Sequence, residues 1–328
     1  MPKPLNLGFK ALVLLLFGGV LYFELTRNEN LSQIWNSFFR QLGAVQAGWL
    51  LLALALMPLN WMAETQKWHP IICRFEPMSR WSALRAVLAG VAVSLFTPHR
   101  VGEFAGRILF VSPKNRWKAI VVNLIGNFAQ TMVLLTTGVF GALWMLGQIW
   151  EVETLYLQVL TIAATIALTA LFLLYYNLRL VLLVIKKLAW LRRFKGLVNK
   201  LRFLAHFNRQ ELSHILKWAA LRYGIFATQY LFLLNFFGIK TSLIVGYAGI
   251  SIVFLFQTIL PLPLLTGLVV RGNIALYLWG QIGASEICSL AATFTLWIIN
   301  LILPALLGTI SIFFVNTTKL FVYENHRN

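Results

Sequence analysis

Three charged side chains, Arg100, Glu103 and Arg107, fall in an otherwise apolar stretch, SLFTPHRVGEFAGRILF, at residues 94–110. Spacings of three and four put them on one face of a helix, with Glu103 ahead of Arg107 in the favourable order for an ion pair. Guanidinium forks grip a phosphate through paired, charge-assisted hydrogen bonds. A carboxylate among them holds the forks while no anion is present, or takes a cationic group. An ionisable residue in apolar surroundings is a functional candidate because its desolvation must be offset. Two structural readings stay open beside this one. The row is an ion network that only fixes the local fold, or it lies at a membrane interface where the arginines snorkel outward. His99 adds a group that titrates near neutrality, as a proton relay or as a cap on a broken helix end.

The backbone must position these groups. Pro98 lacks an N–H and disfavours helix in the residue before it. Gly102 and Gly106 form GxxxG on another face, which permits close helix approach. From Ala86 to Phe96 the chain supplies 11 residues before the Thr97-Pro98 break. As helix that is roughly 16 Å, about half of a hydrocarbon core. Lys67, Arg74, Arg80 and Arg85 precede the stretch and Lys114, Arg116 and Lys118 follow it, so both flanks read as cytoplasmic. A re-entrant hairpin satisfies both: helix in, turn at Thr97-Pro98-His99, helix out. Such a break is tolerated at depth where it is buried in protein or faces a water-filled cavity. The alternative is one long kinked span, which puts Lys114 on the far side.

Residues 243–280 echo this pattern with Pro261, Pro263, Gly267 and Arg271. Both breaks read Pro-x-x-x-Gly, and each is followed by an Arg. Broken segments in two halves, entered from opposite faces, are the mark of an inverted-repeat transporter; chance Pro/Gly spacing is the competing reading. Asn123, Asn127 and Gln130 share a helix face, where they glue helices together or line the same cavity. Asn60 and Glu64 fall near the cytoplasmic end of their helix, and Glu64 is expected at the interface beside Lys67.

Composition sets the solvent. The chain is 59% hydrophobic and 12% charged, with a mean hydropathy of +0.76. A soluble domain carries about 25% charged residues, so the chain is expected to be an all-α polytopic membrane protein. Candidate spans are 8–25, 47–64, 83–112, 119–147, 154–178, 218–238, 243–280 and 287–316, which amounts to about six to eight helices. Lys3 and Lys10 place the N-terminus in the cytoplasm, and parity with Lys319 and Arg327 places the C-terminus there too. The expected architecture is one domain over 1–328, with halves at about 1–178 and 218–328. A basic amphipathic segment, 179–217, joins them along the inner leaflet.

Several chemistries are excluded or disfavoured. All ten acidic residues are Glu, so Asp-based metal pairs and an aspartyl phosphate are out. Cys73 and Cys288 and the five histidines show no metal spacing, so no metal and no cofactor is expected. No P-loop is present. A net charge of +18 suits cytoplasmic loops against anionic lipid, and no nucleic-acid motif accompanies it.

TPHRVGEFAGRILF, read as P-x-R-x-G-E-x-x-x-R, resembles the first signature of the lysylphosphatidylglycerol synthase transmembrane-region family of flippase-like proteins. The resemblance covers most of the chain. It implies a bacterial inner-membrane protein that moves a lipid between leaflets, with motif positions at Pro98, Arg100, Gly102, Glu103 and Arg107. It also implies the membrane part alone, since about a dozen residues follow position 316 and fused members add a soluble aminoacyl-transferase domain. The second family signature usually carries an acidic residue after its break; TGLVVRG keeps only Arg271. The expected function is therefore translocation of a phosphate-bearing, anionic lipid without covalent catalysis. Arg100, Arg107 and Arg271 take the phosphate, Glu103 and His99 gate, and Pro98, Gly102, Gly106, Pro261, Pro263 and Gly267 act as hinges and packing points. Two alternatives remain: a transferase on a lipid-linked substrate, and an accessory subunit of an envelope-synthesis complex. Homo-oligomerisation stays open.

Overall fold

A computed structural model describes residues 36, 38–39, 41–42, 44–95, 97, 101–187, 203–204, 207–259 and 264–313. The expected first span (8–25), the turn residues Pro98, His99 and Arg100, the second break at Pro261 and Pro263, and most of the 179–217 joining segment lie outside these residues.

Most of the described residues are helical, with no strand among them. In chain order they form α1 (Ala44–Ile72), α2 (Arg80–Ser94), α3 (Gly102–Ile108), α4 (Arg116–Gln148), α5 (Thr154–Tyr176), α6 (Leu178–Lys187), α7 (Arg209–Phe236), α8 (Leu243–Ile259), α9 (Leu264–Gly280), α10 (Glu286–Trp297) and α11 (Leu303–Phe313). Four stretches are long and apolar enough to cross a bilayer: Gln46–Ile72, Pro113–Gln148, Thr154–Tyr176 and Glu286–Phe313. The protein is a polytopic all-α membrane protein.

The charged stretch is a hairpin of two helices, not one continuous kinked span. α2 starts on a Ser79 cap, whose Oγ accepts from the Ser82 N–H at 3.1 Å, and it is buried almost all round. At 15 and 7 residues, α2 and α3 are roughly 22 Å and 10 Å long, each shorter than a hydrocarbon core. The GxxxG pair sets their contact. A Cβ on Gly102 would strike the Val93 carbonyl, and one on Gly106 the Ala89 carbonyl. The two ends of the hairpin meet. Glu76, ahead of α2, accepts from Ser112 Oγ at 2.5 Å and from Asn115 Nδ2 at 2.8 Å, both just past α3.

α8 and α9 form the second pair and bring Arg271 into α9; Gly267 lies in the same helix. Packing partners cross between the halves. α2 lies on α11, where Gly308 leaves room for the Leu88 carbonyl; α8 lies on α4, where Gly138 leaves room for Leu255. α1 and α7 run antiparallel at the centre. Gln229 Nε2 donates to the Ala53 carbonyl at 2.9 Å near one end, and His214 Nε2 bonds the Gln66 carbonyl at 3.1 Å near the other. Two apolar cores result, one around α2 and one around α8 and α9.

α7 begins at Arg209, earlier than the apolar pattern predicts. A capping box fixes it: Asn208 Oδ1 accepts from the Glu211 N–H at 2.8 Å and Glu211 Oε2 from the Asn208 N–H at 2.9 Å. Residues 209–217 thus belong to the α7 helix and not to a separate surface segment. α5 is the outlier. No residue of its apolar window is buried, and Leu155, Val159, Ile162 and Ile166 face outward, as lipid contact requires.

Candidate functional site

Glu64 is the centre of the site. It is 2% exposed, well inside α1 rather than at an interface as its place in the sequence suggests. Three cations converge on it from three helices. Lys67 Nζ stands 2.6 Å from Oε2, Arg107 NH2 of α3 2.6 Å from Oε1, and Arg222 NH1 of α7 3.0 Å from Oε2. The Lys67 contact fulfils the expected pairing. Arg107, expected to work beside Glu103, instead reaches across to α1.

Aromatic rings back the cluster. The Arg107 guanidinium lies 5.7 Å from the Trp68 ring centre and that of Arg222 5.2 Å from Trp61. Both are within cation–π range. Gly126 of α4 gives Lys67 its space, since a Cβ there would sit 3.3 Å from Lys67 Cε. Arg222 also donates through Nε to Asn60 Oδ1 at 3.1 Å, and Asn60 Nδ2 donates to Asn300 Oδ1 at 2.7 Å. Asn300 lies on a π-helical turn, Ile298–Ile302, that joins α10 to α11. Pro304 explains the turn: it has no N–H, and its ring would clash with the carbonyl four residues back in a regular helix.

Beside this cluster lies a cavity of about 410 Å³. Its wall draws on both hairpins: Ser94, Thr97 and Glu103 from the first, and Gln257, Thr258 and Arg271 from the second. Arg222, Asn60 and Asn300 connect the cavity to the buried cluster. Arg222 therefore belongs to both.

Of the residues singled out from sequence, Glu103, Asn127, Gln130 and Arg271 line the cavity together. Arg107 is buried behind the wall. Asn123 is buried outside the lining, and neither atom of its amide has a hydrogen-bond partner. Gly102 and Gly106 serve packing between α2 and α3. Arg222 and Asn300 were not anticipated, nor was the central place of Glu64. The signal was partly present, for Asn60, Glu64 and Lys67 recur at i, i+4 and i+7 on one helical face. Among the described residues no group of three or more potential metal ligands is gathered.

Outside the spans, burial alone would raise the Glu76 carboxyl. The hydrogen bonds from Asn115 and Ser112 and the charge of Lys114 outweigh it and hold the group below its ordinary value of 4.5. That anchor fixes both ends of the hairpin carrying Glu103 and Arg107.

The family described as lysylphosphatidylglycerol synthase TM region matches residues 10–308. The chain belongs to this family. As a lysylphosphatidylglycerol synthase TM-region protein with apolar helices of spanning length, it is an integral membrane protein. The family ties it to lipid synthesis or translocation. Comparison with curated proteins gave no match.

Proposed function

We propose that the protein is a lipid translocator of the bacterial inner membrane, with both termini in the cytoplasm. It moves a phosphate-bearing, anionic lipid between leaflets. The carrying observation is the cavity of about 410 Å³ bounded by both hairpins, with Arg222 and Arg271 in its wall. The headgroup enters this polar space while the acyl chains stay in the bilayer. Arg222 and Arg271 take the phosphate, since guanidinium forks match its paired oxygens. Arg100 joins them on the strength of the sequence motif. Glu103 holds the arginines while the cavity is empty. Arg107 and Glu64 hold α3 against α1 and so set the shape of the wall.

The α2–α3 hairpin is read as re-entrant from the cytoplasmic side, and α8–α9 as its inverted counterpart. Support comes from the meeting of Glu76 with Ser112 and Asn115, and from the crossed packing of α2 on α11 and α8 on α4. All of 1–328 acts as one flippase-like domain, with the basic stretch after α5 on the inner leaflet.

The test is reconstitution into vesicles with fluorescent-tailed phospholipids and a membrane-impermeant quencher. Transfer faster than in protein-free vesicles, cut about tenfold by Arg222→Gln, is the expected result, one guanidinium–phosphate contact being worth about 1.4 kcal/mol or more. Transfer no faster than in empty vesicles rejects the reading. Covalent product from a lipid donor points instead to a transferase.

A further inference from the structure

We propose that the seam between α1 and α3, closed by Arg107 on Glu64, is a gate through which the headgroup passes between the cavity and the basic ends of the helices. This rests on the translocator reading and adds the route of entry.

The cavity wall includes Asn60 of α1, Glu103 of α3 and Asn127 of α4. Glu64 and Lys67 follow Asn60 by four and seven residues, Arg107 follows Glu103 by four, and Asn123 precedes Asn127 by four. These steps are one or two helical turns, roughly 6–10 Å. All lead the same way, towards the ends that carry Arg74, Lys114 and Lys118. The polar faces of three helices therefore continue beyond the cavity, and the Glu64 cluster fills the space between them. Gly126 of α4 receives the Lys67 stem there, one turn from Asn123.

Side chains, not packed backbone, close this seam. α3 packs on α2 and α4, with its glycines against the α2 carbonyls. Arg107 joins it to α1, through Glu64 at 2.6 Å and the Trp68 ring at 5.7 Å. Further out, the bonds of Glu76 to Ser112 and Asn115 cross the same seam. Rotation of a few side chains releases such a join while the α2–α3 contact stays whole.

The closed seam also leaves polar atoms dry. Both amide atoms of Asn123, and Nε and NH1 of Arg107, are buried without a hydrogen-bond partner, and neither residue lines the cavity. Buried polar groups in that state are costly and call for an explanation. A cluster that only pinned helices would be as stable with apolar side chains of like volume. A second arrangement of the seam, in which these atoms meet water or headgroup oxygens, accounts for their presence.

The reporter is Asn123→Cys in the full-length protein with Cys73→Ser and Cys288→Ser. The amide it replaces makes no hydrogen bond, so the fold bears the change. Ala291→Cys, buried in the second apolar core, is the control. The probe is a membrane-impermeant methanethiosulfonate, applied in detergent. Asn123→Cys should react at least about tenfold faster than Ala291→Cys, because a local opening costs less than global unfolding. Arg107→Gln should raise the Asn123→Cys rate about tenfold more, the worth of one charge-assisted hydrogen bond, and leave the control rate unchanged. Equal rates at the two positions, or a rise shared by both, overturns the gate.

Vesicle transfer separates this proposal from the reading beneath it. The adduct on Asn123→Cys should bring transfer of fluorescent-tailed phospholipid down to the rate of protein-free vesicles, and a reducing agent should restore it. An adduct that leaves transfer unchanged overturns the route and keeps the translocator. Fast labelling of Asn123→Cys, with no transfer by the cysteine-free parent, rejects the translocator and keeps the seam as an opening to water.

Discussion

Arg107 donates to Glu64 across 2.6 Å, although 43 residues separate them and Glu103 lies one helical turn away from Arg107 in sequence. The contact pins the second helix of the α2–α3 hairpin to α1. Because Arg222 and Lys67 share the same carboxylate, one anion holds three helices in register.

Replacing Glu64 with Gln takes this counter-charge from two buried cations, Lys67 and Arg107, and from the half-buried Arg222. Breaking a buried pair in this way costs about 3–5 kcal/mol. Thermal unfolding in detergent should show a large loss for Glu64→Gln. Adding Arg107→Met should recover part of it, because the partners are coupled. Simple additivity of the two losses would show that the cluster does not act as a unit.

Gly106→Ala forces a methyl group into the Ala89 carbonyl and should cost about 1–3 kcal/mol, as overpacking does. Gly224→Ala on α7 is the control. A Cβ there meets nothing within 4 Å, and the helix gains up to about 1 kcal/mol from the better helix former. Opposite shifts in melting temperature for these two chemically identical changes are the expected outcome.

Arg222 belongs to the cavity wall and to the buried cluster, so its substitutions should separate charge from shape. Arg222→Lys keeps a cation near Glu64 but loses the planar fork that also reaches Asn60. Lipid transfer in vesicles should fall for both Lys and Gln, and thermal stability should fall mainly for Gln. Equal stability losses would mean that the fork, not the charge, is what the fold uses.

Glu76 gives a pH-dependent term. Its folded pKa is depressed, so its contribution to stability is fully present above the ordinary value of 4.5 and is lost as the pH falls through the lower folded value. The gap in melting temperature between the protein and Glu76→Gln should be open at neutral pH and close on acidification below 4.5. A gap that widens with acid would show that the Ser112 and Asn115 bonds do not hold the ionised form.

Much of this was legible in the sequence, and the reasons are local. Pro98 with basic residues on both flanks gave away a hairpin, because a proline and a charge bias act within a few residues of themselves. Gly102 and Gly106 announced close packing for the same reason. Arg271 was found through its Pro-Gly echo of the first segment. The partner of Arg107 was not legible. Helical spacing reports neighbours on one helix, whereas Glu64, Arg107 and Arg222 meet only after α1, α3 and α7 have packed. Arg222 sat in a stretch read as an ordinary span. The π turn at Ile298–Ile302 left only Pro304 as a trace, and a proline alone does not say whether a helix kinks or widens.

The bed that Gly308 makes for the Leu88 carbonyl has a consequence for the growing chain. Leu88 leaves the ribosome about 220 residues before its partner does. At translation rates of about 5–20 residues per second, that is a wait of roughly 10–45 s. For that time one flank of α2 has only lipid, the α3 glycines or an insertion chaperone against it. The α2–α11 seam is thus among the last to close, and a nascent chain truncated before α11 should be recognised by membrane quality control even though every charged residue of the site has already been made.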